Sequence, residues 1–150
     1  MDLNIGSSKK DGFAENSWYG LHWDLLEDTC HKLSEILSLE LVPTYDFSRI
    51  YHKGDVLVKH DDRPSCEYSA TINLRNNSCP WEFFWEGGSA LMEQGDAVLY
   101  TGCNVTHWRE ENKADSTHQV FLHYVDANGP NADHANEYMK QRHTLTTWRD

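Results

Sequence analysis

Trp81-Glu82-Phe83-Phe84-Trp85-Glu86-Gly87-Gly88-Ser89-Ala90-Leu91-Met92-Glu93-Gln94-Gly95-Asp96-Ala97-Val98-Leu99-Tyr100-Thr101 is three short apolar runs divided by two glycine turns. Each run is too brief for a helix and is rich in aromatic or β-branched residues, the composition that suits a pleated, half-buried surface. Glu86-Gly87-Gly88 and Gln94-Gly95-Asp96 supply the turn chemistry between them. Read outward from there, the same texture continues in both directions. Strands are expected at residues 48–52, 56–60, 68–74, 81–85, 89–92, 97–101, 106–109 and 118–125, with further turns at Lys53-Gly54-Asp55 and Asn76-Asn77. Short strands at this spacing, with no helix alternating between them, predict a mainly β sandwich or jelly roll. No internal repeat of fixed period is present.

Upstream the periodicity changes. Leu21, Leu25, Leu26, Cys30, Leu33, Ile36 and Leu37 recur at helical spacing, while Glu27, Asp28, Lys32 and Glu35 fall largely off that stripe. This predicts an amphipathic N-terminal helix over 21–39, its apolar side laid on an outer face of the following sheet. Residues 1–17 read as a loose polar leader. After Gly129-Pro130, residues 134–142 are expected to form a short helix within a tail spanning 127–150. The whole chain, 1–150, is expected to be a single domain with its jelly-roll core at 45–126.

With 150 residues, such a domain is large enough to build its own core. A formal net charge of −11 argues against nucleic acid or an anionic membrane as partner, since both require a positive surface. Cys30, Cys66, Cys79 and Cys103 form no closely spaced pair, so neither a zinc cluster nor a disulfide framework is expected. Without an apolar export segment near Met1 the chain is expected to be cytoplasmic, with reduced thiols that behave as small buried hydrophobes. No run of about 18 apolar residues offers a membrane span.

Chemistry concentrates in two segments. Val56-Leu57-Val58-Lys59-His60-Asp61-Asp62 ends a strand, and the two-residue period turns His60 and Asp62 to one face and Asp61 to the other. His107 follows the turn Gly102-Cys103-Asn104 at the start of a later strand. A jelly roll brings early and late strands face to face, so one metal could bridge the three side chains. Two imidazoles and one carboxylate, with the remaining positions open, are the facial triad of non-haem Fe(II) oxygenases. With nine histidines and many aspartates in the chain, a His-x-Asp triplet alone is close to chance. Its placement at a strand end opposite His107 gives it weight.

Arg49-Ile50-Tyr51-His52-Lys53-Gly54-Asp55-Val56-Leu57-Val58-Lys59-His60-Asp61-Asp62 resembles the approach to the iron site in prolyl 4-hydroxylase-like 2-oxoglutarate/Fe(II) dioxygenases. Gln94-Gly95-Asp96-Ala97-Val98-Leu99-Tyr100 is similar to the strand that precedes that family's distal histidine, here His107. The resemblance covers about residues 45–126. It implies a double-stranded β-helix, Fe(II) and O2, and 2-oxoglutarate as cosubstrate. It further implies hydroxylation of a peptide side chain or small metabolite, coupled to decarboxylation of 2-oxoglutarate to succinate.

The chain departs from that pattern in one respect. The family carries an Arg or Lys roughly ten residues beyond the distal histidine to hold the far carboxylate of 2-oxoglutarate. Here that region reads Asp115-Ser116-Thr117-His118-Gln119-Val120. Arg109 is the expected substitute, because it shares a strand face with His107 and its guanidinium offers a bidentate fork. The alternative for Arg109 is an exposed arginine paired with Glu110 or Glu111. Tyr51, Asn73, Thr117 and His118 are expected to add hydrogen bonds to the cosubstrate, and Arg63, Tyr68 and His123 are substrate candidates. His123 also reads as a satisfied core histidine. Trp81-Glu82-Phe83-Phe84-Trp85 puts aromatics on both strand faces, one in the core and the other expected beneath the N-terminal helix. Two further readings stay open. One is a cupin-type metal enzyme without 2-oxoglutarate, although cupins usually begin with His-x-His. The other is a jelly-roll binding module that no longer turns over.

Overall fold

The computed structural model describes residues 17–137. Nine strands and one long helix follow in the order β1 (Ser17–Tyr19), α1 (Trp23–Leu37), β2 (Leu41–His52), β3 (Leu57–His60), β4 (Tyr68–Asn77), β5 (Trp81–Trp85), β6 (Gly88–Met92), β7 (Ala97–Tyr100), β8 (His107–Arg109) and β9 (Ser116–Asp126). Short 3-10 turns occupy Pro64–Cys66 and Ala132–His134. Five strands form one antiparallel sheet in the order β1-β2-β9-β4-β7, and four form a second in the order β3-β8-β5-β6. Apart from β1–β2 and β5–β6, neighbouring strands are distant in the chain, and the architecture is a mainly β double-stranded β-helix with an N-terminal helix packed on the larger sheet.

Register explains which residues meet inside. Tyr45, Phe47, Arg49 and Tyr51 on β2 lie opposite His123, Phe121, Gln119 and Thr117 on β9. Ser69, Thr71 and Asn73 on β4 continue the same rows on the other side of β9. Directly opposed residues share a face, so these side chains make up the inner wall of the larger sheet. His107 pairs with His60 and Trp85, while Arg109 pairs with Leu57, which aligns the inner wall of the smaller sheet.

Helix α1 buries Leu26, Cys30 and Leu33 on the outer face of the larger sheet. The Tyr124 hydroxyl donates to the Leu26 carbonyl at 2.7 Å, and the Cys30 thiol donates to the Leu41 carbonyl at 3.2 Å. The helix stops at Ser38, which takes a left-handed conformation (φ 55°) and donates its N–H to the Glu35 carbonyl.

Several expectations change. The strand expected at 48–52 is β2, and it begins at Leu41. Both of its faces are covered, by the interior and by α1, so the usual alternation is absent, and a register shift between Pro43 and Tyr45 interrupts it. The three-residue β1 carries no sequence signal of its own, and only its first residue, Ser17, falls within the expected leader. The second aromatic face of β5 does not lie under the helix, because the helix covers the other sheet. Instead Phe84 stacks on Trp108 at 5.7 Å between centroids and 9° between planes, with the Lys59 ammonium 4.4 Å from the Trp108 centroid. Of the helix expected at 134–142, the described residues show the 3-10 turn at Ala132–His134 and a helical residue at Glu137, and residues 138–142 lie outside them. The leader up to residue 16 and the tail beyond 137 also lie outside. Among the described residues no helix is long and apolar enough to cross a membrane.

Candidate metal centre

His60 leaves the end of β3, Asp62 follows two residues on, and His107 opens β8, hydrogen-bonded neighbour of β3. Their ligand atoms lie within 4.8 Å of one another. Asp62 Oδ1 sits 3.3 Å from His60 Nε2 and 3.4 Å from His107 Nε2. Asp61 borders the cavity but is not in the ligand group, and its Oδ1 accepts a hydrogen bond from Thr106 Oγ1 at 2.6 Å. The Asp62 N–H donates to the Gly102 carbonyl at 2.9 Å, tying the end of β3 to the turn before His107.

Both rings are oriented by the same device. His60 Nδ1 lies 2.7 Å from the Val58 carbonyl and His107 Nδ1 lies 2.7 Å from the Val105 carbonyl. A carbonyl only accepts, so each Nδ1 carries a proton; a ring that is neutral then presents its Nε2 lone pair to Asp62, and one that is protonated donates to it. Two lone pairs and a carboxylate oxygen facing one another repel unless a metal ion or a proton lies among them. The donor set therefore fits a divalent metal, with ring orientation fixed by outer hydrogen bonds as is usual for metal-ligating histidines. Burial pulls the Asp62 carboxyl toward the neutral form, but without a metal the hydrogen bonds that His107 and His60 donate from a protonated Nε2 overcome it and hold the group well below the ordinary carboxylate range. Burial also opposes charge on His60, yet Asp62 and the Val58 carbonyl raise it. His107 is 2% exposed and His60 25%, so the centre opens on the His60 side.

A cavity of about 250 Å³ adjoins the three residues between the sheets. Of the expected cosubstrate contacts, Tyr51 is on its wall, its ring edge-on to Trp81 at 4.9 Å. Of the expected substrate contacts, Arg63 and His123 are on the wall and Tyr68 is not. Tyr68 opposes Tyr124 across the outer face of the larger sheet.

Arg109 is not on the wall. Parity correctly turned it inward, but parity selects a face and not a depth. Its guanidinium donates to the Trp81 carbonyl at 3.1 Å, to Gln119 Oε1 at 2.9 Å and to Met92 Sδ at 3.2 Å. It also packs over the Trp81 ring at 4.7 Å and near the Phe83 ring at 5.2 Å. Complete burial lowers it to about 10. Asn73 joins the same network, donating to the Met92 carbonyl and accepting from Gln119. Thr117 accepts from Asn112 Nδ2 at 3.2 Å, and His118 lies on the opposite face beside His22, where burial lowers it. None of these four lines the cavity.

The buried cation on the wall is Arg49 of β2, only 2% exposed, with its guanidinium 4.6 Å from the Tyr51 ring centroid. The sequence held a usable signal for it: Arg49 has the parity of Phe47 and Tyr51. Tyr45, Cys66, Tyr100 and Phe121 also line the cavity without having been expected there. Tyr100 packs edge-on against His107 at 4.8 Å and exchanges a hydrogen bond with Thr71 at 3.0 Å.

Among solved structures, a 2OG-Fe(II) oxygenase family oxidoreductase from Burkholderia pseudomallei is similar, with TM-score 0.57 and 18% identity over 73% of this chain. This chain spans 58% of that protein's length. A viral collagen prolyl hydroxylase from Paramecium Bursaria Chlorella virus-1 aligns with TM-score 0.58 and 12% identity, covering 77% of this chain and 83% of its own. AviO1 from Streptomyces viridochromogenes aligns with TM-score 0.60 and 16% identity, covering 77% of this chain and 68% of its own. At these identities the likeness establishes the shared fold. No protein-family model matches the sequence, and no curated protein matches it.

Proposed function

We propose that this chain is a non-haem Fe(II)- and 2-oxoglutarate-dependent oxygenase that hydroxylates a peptide side chain or small metabolite and converts 2-oxoglutarate to succinate. The observation that carries the reading is the convergence of His60 Nε2, His107 Nε2 and Asp62 Oδ1 with both Nδ1 protons already committed to backbone carbonyls. Three acceptors aimed at one point, two from neutral imidazoles and one from a carboxylate, are a ligand set for Fe(II) with open positions. The oxygenases among the similar folds support the same class. Fe(II), when bound, supplies the activation of O2.

The chain's own residues supply position and exclusion. Arg49 takes the role first expected of Arg109, receiving a carboxylate in a wall otherwise rich in Tyr45, Phe47, Tyr51, Leu57 and Phe121. A guanidinium held in so apolar a wall gives a bidentate partner that a dicarboxylate would otherwise lack. Tyr100, Phe83 and the His60 ring close around His107 and keep its Nε2 pointed. Arg63 stands on the open side, its guanidinium over Tyr45 and 3.4 Å from Glu137, where it would meet the substrate.

Succinate released by the Fe(II)-loaded protein given 2-oxoglutarate is the test. His107→Ala should abolish it. Arg49→Leu should raise the KM for 2-oxoglutarate about thirtyfold or more, since leaving a buried charge without its partner costs about 2 kcal/mol at the least. Wild-type protein that binds Fe(II) but releases no succinate, with or without candidate substrates, would leave a binding module and reject the oxygenase.

A further inference from the structure

We propose that Asp62, Cys66 and His123 form a second metal seat beside the first, sharing Asp62 with it and suited to a thiophilic divalent ion of the zinc class. The three ligand atoms lie within 4.8 Å of one another, the same closeness as in the first triad. They come from three places in the fold: the segment after β3, the 3-10 turn Pro64–Cys66, and β9. Cys66 is 2% exposed and His123 5%, so the seat lies on the inner wall of the cavity, deeper than His60.

The tautomer of His123 follows from its neighbours. Ser69 Oγ donates its only proton to the Cys66 carbonyl at 3.1 Å and therefore turns a lone pair to His123 Nδ1 at 2.8 Å. Nδ1 must carry the hydrogen, which leaves Nε2 as the ligand atom, as in His60 and His107. The Cys66 sulfur has a partner too: the Tyr45 hydroxyl lies 3.1 Å away, in place to donate to a thiolate. His123 and Cys66 thus each have an outer hydrogen bond of the kind that orients metal ligands.

Chemistry separates the two seats. The first offers nitrogen and oxygen only, whereas the second adds a thiolate, the soft ligand that favours zinc-like ions. Thiolate and carboxylate together neutralise a dication in a buried site. Because Asp62 serves both, an ion in the second seat either bridges to the first or draws the carboxylate away from it. Zinc should therefore compete with the first metal from an adjacent site and not merely within the first one.

Co(II) added to the full-length, metal-free chain reads this directly, since cobalt bound to thiolate gives a near-ultraviolet charge-transfer band that nitrogen and oxygen ligands do not. Wild type should show the band, Cys66→Ser should lose it, and His60→Ala/His107→Ala should keep it. His123→Gln should bind the band-forming Co(II) at least about tenfold more weakly. The proposal is overturned by an absent band in wild type, or by a band that survives Cys66→Ser and so belongs to Cys30, Cys79 or Cys103. A band lost in the double histidine variant overturns it as well, because Cys66 would then be serving the first seat. Should Cys66→Ser fail to fold, unchanged Co(II) affinity in His123→Gln decides against the seat. None of these measurements uses 2-oxoglutarate or turnover, so failure of the oxygenase reading and failure of this seat are told apart.

Discussion

Arg49 and Arg109 are both buried guanidiniums on rows that include the same glutamine: Arg49 opposes Gln119 in the β2–β9 register and Arg109 donates to its Oε1. Their surroundings give them different work. Arg109 directs its Nη groups to Trp81, Met92 and Gln119, so it braces the smaller sheet against β9. Replacing it by Met should leave the KM for 2-oxoglutarate within about twofold while lowering stability by about 2 kcal/mol, because the Trp81 carbonyl and Gln119 Oε1 lose a buried donor. Urea denaturation beside the kinetic assay checks both halves. A large KM change in Arg109→Met with none in Arg49→Leu would return the anchor to Arg109.

At the scale of elements, the turn between β7 and β8 does more than connect. A Cβ built on Gly102 would lie 2.5 Å from Asp62 Oδ2, 2.6 Å from the Cys66 carbonyl and 2.9 Å from Ser69 Oγ. Only glycine lets this turn press against the carboxylate while accepting the Asp62 N–H. Gly102→Ala should displace Asp62 and weaken Fe(II) or Mn(II) binding at least about tenfold, with a stability loss of about 1–3 kcal/mol from overpacking. Calorimetric titration of the metal measures the first, and an unchanged affinity would mean that Asp62 is held by other contacts. The sequence made much of this element legible. Parity at a strand end separated Asp62 from Asp61, and the turn before His107 marked where β8 begins. Depth was not legible, since Arg109 and Arg49 both point inward and only the packing of Trp81, Phe83 and Met92 decides which reaches the cavity. The start of β2 was hidden because helix α1 buries its outer face, erasing the alternation that marks a strand. Of the polar inner row, Asn73 and His123 were expected inside, whereas Ser69 and Thr71 carry no such signal in the sequence and are interior all the same.

For the molecule as a whole, that polar interior makes folding depend on pH through groups the charge count ignores. Burial lowers His123 from the usual 6.5 to about 4, with Asp62 opposing and Arg63 and His107 adding to the shift. His118 is lowered in the same direction by burial and by His22. Unfolded imidazoles take up protons as pH falls below 6.5, while His123 in the native protein resists until about pH 4. The unfolded state then binds more protons, so stability must fall with pH across that window. For His123 the full gap is worth on the order of 3 kcal/mol. His60 runs the other way: its folded value is raised, so its contribution is complete below the ordinary imidazole value and is lost as pH rises through the folded one. Its gain is nearly complete at the top of the window and offsets little of the loss, whereas Asp62, held low, begins to lose its contribution at the window's lower edge, as pH falls below the ordinary carboxylate value. Metal-free protein should therefore show a thermal midpoint that declines by several degrees from about pH 6.5 to pH 4. His123→Gln should flatten that decline, because an amide in the same place has no proton to take up. Differential scanning calorimetry of both proteins at matched ionic strength decides it: equal slopes would assign the acid sensitivity to His118 and the surface carboxylates, and would mean that His123 is as readily protonated inside the fold as outside it.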